Sequence, residues 1–141
     1  RTVICYTGRS RVSGETIGRV MTAYERGDPA VRGALLDLTA LADRMAGALR
    51  SGDLAQVGGL LSANWACQQR LDAGMRTPEM MALESAMQCA GALGGKAAGA
   101  GAGGSMFFVM GGDVKAGIEA ARQTGALVLG AAWAATGVAR C

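Results

Sequence analysis

Histidine is absent from this 141-residue sequence. Its four cysteines, Cys5, Cys67, Cys89 and Cys141, stand far apart and form no Cys-x-x-Cys pair. A zinc centre needs more closely spaced ligands, so no metal site is expected in the chain. The cysteines read instead as free thiols of a reducing compartment, and a cytoplasmic location is the expectation. Aromatic residues amount to 4% and charged residues to 18%; the basic ones are scattered, with only Arg9 and Arg11 close together. A nucleic-acid partner calls for a basic stripe, often with exposed aromatics, so the net charge of +3 does not point to one. No apolar run is long enough to cross a bilayer, and no membrane partner is expected.

Half of the residues are apolar, which suits one modest core in a single domain spanning 1–141. The two prolines both read as helix starts: Asp28-Pro29 and Thr77-Pro78 each place a cap before a proline at the first helical position. Residues 3–6 have strand composition. Ser13 then caps a helix whose apolar face is Ile17, Val20, Met21 and Tyr24, stopped by Gly27. The helix after Pro29 carries Leu35, Leu38, Ala42, Met45 and Leu49 at helical spacing and ends at Gly52. Asp53, with Gln56 as capping-box partner, opens a third helix with Val57, Leu60, Leu61, Cys67 and Leu71 on its face, closed by Gly74. Met80, Leu83, Met87 and Ala90 mark a fourth.

The pattern then changes. Residues 95–100 read as a short strand of small residues, 101–104 as a tight loop, and 106–110 as a continuous apolar strand. Asp113 caps a fifth helix with Val114, Ile118 and Ala121 facing inward, ended by Gly125. A strand over 126–130, running on toward Trp133, and a short edge strand over 138–141 complete the chain. The order predicts an α+β fold, a ferredoxin-like βαββαβ sandwich with extra helices in the first crossover. Helices then cover one face of the sheet. The other face needs a partner, either a further domain or a second copy in a homodimer. The sequence enters strand composition directly after Arg1 without an initiating Met, and reads as cut from a longer chain.

The stretch from Gly94 to Ser105 carries the most chemistry. Glycines and alanines fill it between two strands, so the backbone can approach a ligand or another loop closely. Successive exposed N–H groups would form a nest for phosphate oxygens; a tight hairpin that merely packs close explains the same residues. No Gly-Lys-Ser/Thr ends the loop and no helix follows it, which excludes a Walker A loop and a dinucleotide fingerprint.

Gly95-Lys96-Ala97-Ala98-Gly99-Ala100-Gly101-Ala102-Gly103-Gly104 resembles the third motif of the GHMP kinases, with Ala98 at the usual Ser/Thr and Ala102 at one glycine. Tyr6-Thr7-Gly8-Arg9-Ser10-Arg11, Asn64-Trp65 with Leu71, Gly74, Thr77 and Pro78, and Gly91-Ala92-Leu93-Gly94-Gly95-Lys96 are similar to the heptose-7-phosphate kinase-like branch of that family. Gln68 departs from it, standing where that branch has a basic residue. The resemblance implies the C-terminal domain of an ATP- and Mg2+-dependent sugar or sugar-phosphate kinase. It also implies an N-terminal domain with a Pro-x-x-x-Gly-Leu-Gly-Ser-Ser-Ala phosphate loop, the catalytic Asp and the magnesium ligands. None of these lies within the 141 residues, so the chain by itself is expected to hold no catalytic residue, bind no cofactor and be inactive. Gly99, Ala100, Gly101, Ala102, Gly103 and Gly104 are then the support for the ATP phosphate loop.

Arg9, Ser10 and Arg11 follow a strand directly and are candidate substrate contacts, since a guanidinium forks well onto phosphate; solvated loop arginines are the alternative. Lys96 reads as an anchor of the glycine loop or a residue at a strand entrance. Trp65 reads as core packing with its N–H satisfied, or as the border of a sugar pocket. Met80, Met81 and Met87 read as core, and Asp113 as a helix cap. A stand-alone ferredoxin-like module for ligand binding or dimerisation, without catalysis, is the functional alternative.

Overall fold

Strand β1 (Thr2–Tyr6) is followed by four helices, α1 (Ser13–Glu25), α2 (Pro29–Ser51), α3 (Leu54–Leu71) and α4 (Pro78–Cys89), with a 3-10 turn at Ala73–Met75 between the last two. Strands β2 (Ala92–Ala97) and β3 (Ser105–Met110), helix α5 (Val114–Gln123) and strand β4 (Leu127–Leu129) complete the order. The structure, a computed structural model, describes residues 1–9 and 13–132. The expected edge strand over 138–141 and the extension toward Trp133 lie outside the described residues.

Helix starts follow the local chemistry. Asp28 accepts hydrogen bonds from the N–H groups of Ala30 and Val31, with Pro29 at the first helical position. Asp53 accepts from Gln56, Thr77 from Met80, and Asp113 from Lys115. Half of the capping box expected at Asp53 is diverted: its own N–H donates to Ala48 at the end of α2, through a connection too short to leave it free. Gly52 closes α2 in the left-handed conformation, φ 69°. Helix α3 stops at Leu71 rather than at Gly74, because Asp72 leaves helical geometry and caps the 3-10 turn by accepting from the Gly74 N–H.

The sheet is antiparallel throughout, in the order β2-β3-β1-β4, with Val3 opposite Phe108 and Ile4 opposite Leu129. This is the predicted βαββαβ arrangement, with α1 to α4 in the first crossover. Strand β2 spans Ala92–Ala97 and not 95–100, and β4 is confined to three residues. The main core lies between one sheet face and α3, α4 and α5: Val3, Cys5, Met106 and Phe108 meet Trp65, Met80, Leu83, Met87 and Ala121.

The helices do not stay on one face. Val109 and, partly buried, Phe107 point to the opposite side and join Leu41, Ala48, Val57, Leu60 and Leu61 of α2 and α3 in a second cluster. Helix α3 thus wraps the outer edge of β2, where the Gly95 N–H donates to the Ser62 hydroxyl at 3.4 Å. Close approach is secured by Gly58 and Gly94: a Cβ on Gly94 would lie 1.9 Å from the Gly58 carbonyl oxygen. On β4, away from this cover, Leu127 and Leu129 remain exposed.

Two helix faces differ from the periodicity. In α1, Ile17, Met21 and Tyr24 are exposed, while Thr16 is buried and Val20 is partly buried against the core. The helix is held through Arg19, whose guanidinium takes both carboxylate oxygens of Asp72 at 2.5 and 3.1 Å. In α2 the fully buried stripe is Val31, Ala34, Leu41 and Ala48; of the predicted face, Leu38 and Met45 pack half-buried against the second cluster, while Ala42 and Leu49 are exposed. Met81 also faces solvent.

Cys5 and Cys67 are buried and Cys89 is exposed. Burial pushes the Cys5 thiol from its ordinary value up to about 11. In a Cys141→Ser protein, an aromatic disulfide reagent at pH 8 should therefore titrate Cys89 rapidly and reach Cys5 and Cys67 only on unfolding. Rapid reaction of all three in the native protein would contradict the packing. Because the folded thiol titrates above the unfolded one, the Cys5 contribution to stability is complete below about pH 9 and declines as pH rises from there toward 11.

Candidate functional site

The glycine-rich segment closes the turn between β2 and β3, opening with the Ala98 N–H donating to the Ser105 carbonyl at 2.8 Å. Gly101, Ala102, Gly103 and Gly104 all have positive φ, at 78°, 63°, 119° and 77°. Four successive residues in this region explain most of the glycine content, since a side chain costs about 1–2 kcal/mol there. Ala102 accepts that cost, and its methyl is buried.

Four residues from three segments of the chain hold the loop. From the end of β1, Thr7 gives the Gly104 carbonyl two hydrogen bonds, from its N–H and its hydroxyl, both 2.9 Å. The Gly104 N–H donates to the Arg9 carbonyl at 2.6 Å, and the Ala102 N–H to the Met75 carbonyl of the 3-10 turn at 2.6 Å. From α3, the buried Gln68 side chain donates to the Gly99 carbonyl at 2.5 Å. Two N–H groups that a phosphate nest would need, those of Ala102 and Gly104, are therefore already committed to the domain's own backbone. The loop is a braced plug more than a nest.

The glycines divide by what surrounds them. A Cβ on Gly101 would stand 2.5 Å from the Met75 carbonyl oxygen and 3.0 Å from Trp65 Cη2; one on Gly103 would stand 2.8 Å from the Arg9 carbonyl oxygen. These two positions are glycine because the domain itself crowds them. Gly99 has an ordinary φ and nothing within 4 Å of its added Cβ. No contact inside the described structure demands a glycine there, so the outer shoulder of the loop, Gly99 and Ala100, is open to an approaching group.

Of the candidate substrate contacts, Arg9 lies against this loop through its backbone, and Ser10 and Arg11 fall outside the described residues. The Arg9 guanidinium reaches Glu79, in the first turn of α4, at 3.1 Å. The Glu79 carboxyl is held below its usual range by its own backbone N–H, by the Thr77 hydroxyl and by Arg9. Lys96 alternates with Ala97, so it faces away from the main core beside its register partner Phe107, and desolvation lowers its pKa. It is a strand residue, and among the described residues its side chain makes no hydrogen bond or ion pair that braces the loop.

Trp65 is core, as its helix suggests, but its indole N–H meets no acceptor among the described residues, contrary to expectation. Thr7, Gln68 and Met75 were not legible as loop anchors. The one signal was Gln68, a polar residue next to Cys67 on the apolar face of α3. Among the described residues no group of three acidic, cysteine or histidine side chains could hold a metal, and no helix is long and apolar enough to cross a membrane.

Comparisons with known proteins agree with this geometry. The family model for the C-terminal domain of GHMP kinases matches residues 45–127, more than half of the chain. A protein from Listeria innocua of known structure aligns over 92% of this chain with a TM-score of 0.83 and 15% identity. Mevalonate kinase from L. major, in complex with R-mevalonate, aligns over 87% with a TM-score of 0.75 and 21% identity. Phosphomevalonate kinase from Streptococcus pneumoniae, in complex with phosphomevalonate and AMPPNP, aligns over 91% with a TM-score of 0.76 and 16% identity. The chain spans 38%, 36% and 37% of the length of these three proteins. No curated protein matches it.

Proposed function

Since the chain belongs to the GHMP kinases, as their C-terminal domain, we propose that it is the part of an ATP-dependent small-molecule kinase that supports the ATP phosphate loop. The acceptor in this reading is a sugar or sugar phosphate of the heptose 7-phosphate type. The proposal includes a preceding domain that carries the phosphate loop, the catalytic Asp and the Mg2+ ligands. The coverage of less than two fifths of each similar structure supports that division. The sugar assignment rests on the Tyr6-Thr7-Gly8-Arg9 turn and the Asn64-Trp65 helix, which resemble the heptose branch.

The observation that carries the kinase reading is the open shoulder at Gly99 beside a loop held by four residues. Phosphoryl transfer depends on positioning and on charge stabilisation far more than on covalent chemistry by the protein. A rigid small-residue surface lets a phosphate-binding loop pack against it without reorganising. Thr7, Gln68, Met75 and Arg9 supply that rigidity through the hydrogen bonds given above. The acidic residues of this chain do not form a magnesium ligand set among the described residues, and its part in the reaction is to brace and shape the cleft.

The test is turnover by the full-length chain with ATP against D-glycero-D-manno-heptose 7-phosphate, galactose, fucose, mevalonate and phosphomevalonate, read as ADP release. Turnover of the heptose phosphate well above the rest is the expected result; preference for mevalonate or phosphomevalonate would reassign the acceptor, and no ADP release with any would favour the non-catalytic module. Residues 1–141 alone should show no micromolar MgATP binding by calorimetry. Micromolar affinity would place the nucleotide site within this domain and overturn the division proposed here.

A further inference from the structure

The residue beside the braced loop with the most unused hydrogen-bonding capacity is Arg9. Its backbone is fixed, because its carbonyl accepts from the Gly104 N–H at 2.6 Å. Its side chain is 62% exposed and makes one hydrogen bond among the described residues, to Glu79 Oε1 at 3.1 Å. A guanidinium carries five N–H donors, so most of its fork is presented outward. Glu79 is placed independently of Arg9, in the first turn of α4 behind the Thr77 cap, and its other carboxylate oxygen is buried. What the pair offers at the surface is therefore chiefly donors, held by a carboxylate that is itself 41% exposed but has one oxygen buried. An exposed ion pair of this kind contributes little to stability, so stability is a poor reason for it.

We propose that Arg9 binds an oxyanion of the acceptor, a phosphoryl or carboxylate group, and that Glu79 is the positioning residue that holds its fork in place. Assigning the oxyanion to the acceptor rests on the kinase reading above; the binding of an oxyanion by Arg9 does not. A flat guanidinium fork matches two oxygens of such a group, which an ammonium cannot do. Two further ion pairs stand on the neighbouring elements, Arg19 with Asp72 and Arg76 with Glu84 at 2.7 Å.

The experiment is calorimetric titration of the full-length protein with inorganic phosphate, acetate and MgATP, for the parent, Arg9→Gln, Arg9→Lys and Glu79→Gln, with a thermal melt of each. Arg9→Gln should weaken phosphate about tenfold or more, as expected for loss of a charge-assisted contact. Arg9→Lys should lie between it and the parent. Glu79→Gln should weaken phosphate about threefold, while MgATP affinity and melting temperature stay near those of the parent. If Arg9→Gln fails to fold, Arg9→Lys carries the test, since it keeps the charge and the stem but loses the fork. Phosphate affinity unchanged in the Arg9 variants overturns the site, and tighter phosphate binding by Glu79→Gln overturns the positioning role. Equal weakening of MgATP moves the oxyanion to the nucleotide and overturns the acceptor assignment. A protein that binds phosphate through Arg9 but neither binds nor consumes ATP would sink the kinase reading and leave the oxyanion site standing.

Discussion

Replacing Gly94 with alanine should cost the fold about 3 kcal/mol or more, the upper range for forcing atoms into a filled interior. The added Cβ would lie 1.9 Å from the Gly58 carbonyl oxygen and 2.6 Å from Ser62 Oγ. The first is backbone within a helix and cannot swing aside, so α3 would have to move off β2. That movement would open the second core, where Val57, Leu60 and Leu61 meet Val109. Gly58→Ala should be damaging for the reciprocal reason, since its Cβ would lie 2.5 Å from Leu93 Cβ and 2.7 Å from the Leu93 carbonyl carbon. Gly59 is the internal control. It is exposed on the same helix with nothing within 4 Å, so Gly59→Ala should be neutral or gain about 0.5–1 kcal/mol. Urea melts of the three variants decide the matter. A domain holds only about 5–15 kcal/mol in all, so the first two should shift the midpoint far. If Gly94→Ala melts with the parent, the α3–β2 crossing is not as close as described.

The second large effect concerns activity. In the full-length protein, on the proposed kinase reading, Gly99→Leu should lower turnover by about tenfold or more while changing stability by no more than about 0.5 kcal/mol. Its position has ordinary backbone geometry and open space around the Cβ, so the domain should fold as before. An isobutyl group there would occupy the shoulder against which the phosphate loop is proposed to pack. Gly103 is a poorer probe: valine at this position meets both a φ of 119° and the Arg9 carbonyl 2.8 Å away, so fold and function would fail together. Steady-state kinetics with ATP and a denaturant melt of the same Gly99→Leu protein give the answer. Activity within about twofold of the parent, with the fold intact, would reduce the loop to a hairpin connection and remove the chief support for its role at the cleft.

The loop also marks how far sequence reasoning reaches. Residues 97–104 hold no side chain larger than methyl, which correctly announces positive φ at Gly101, Gly103 and Gly104. It does not announce that Ala102 joins them, nor that Ala102 and Gly104 donate inward to Met75 and Arg9. A nest and a braced plug have the same composition. What separates them is where the carbonyls of two distant segments come to rest.

The sequence by itself determined the starts of α2, α3, α4 and α5, because a cap acts on N–H groups two or three residues away and needs nothing else. It determined the alternation of strands and helices, and with it the βαββαβ class, because hydrophobic period is a property of each segment alone. Tertiary structure decided which stripe of a helix is buried. Ile17, Met21 and Tyr24 form an apolar face at helical spacing, yet α1 is docked by Thr16, Val20 and the Arg19–Asp72 pair, and that face is left exposed. Tertiary structure also placed Arg9 against Glu79, 70 residues away along the chain, and α3 around the edge of β2. Such contacts depend on how the long crossover closes, through the summed fit of many side chains, and no local pattern of residues encodes that sum.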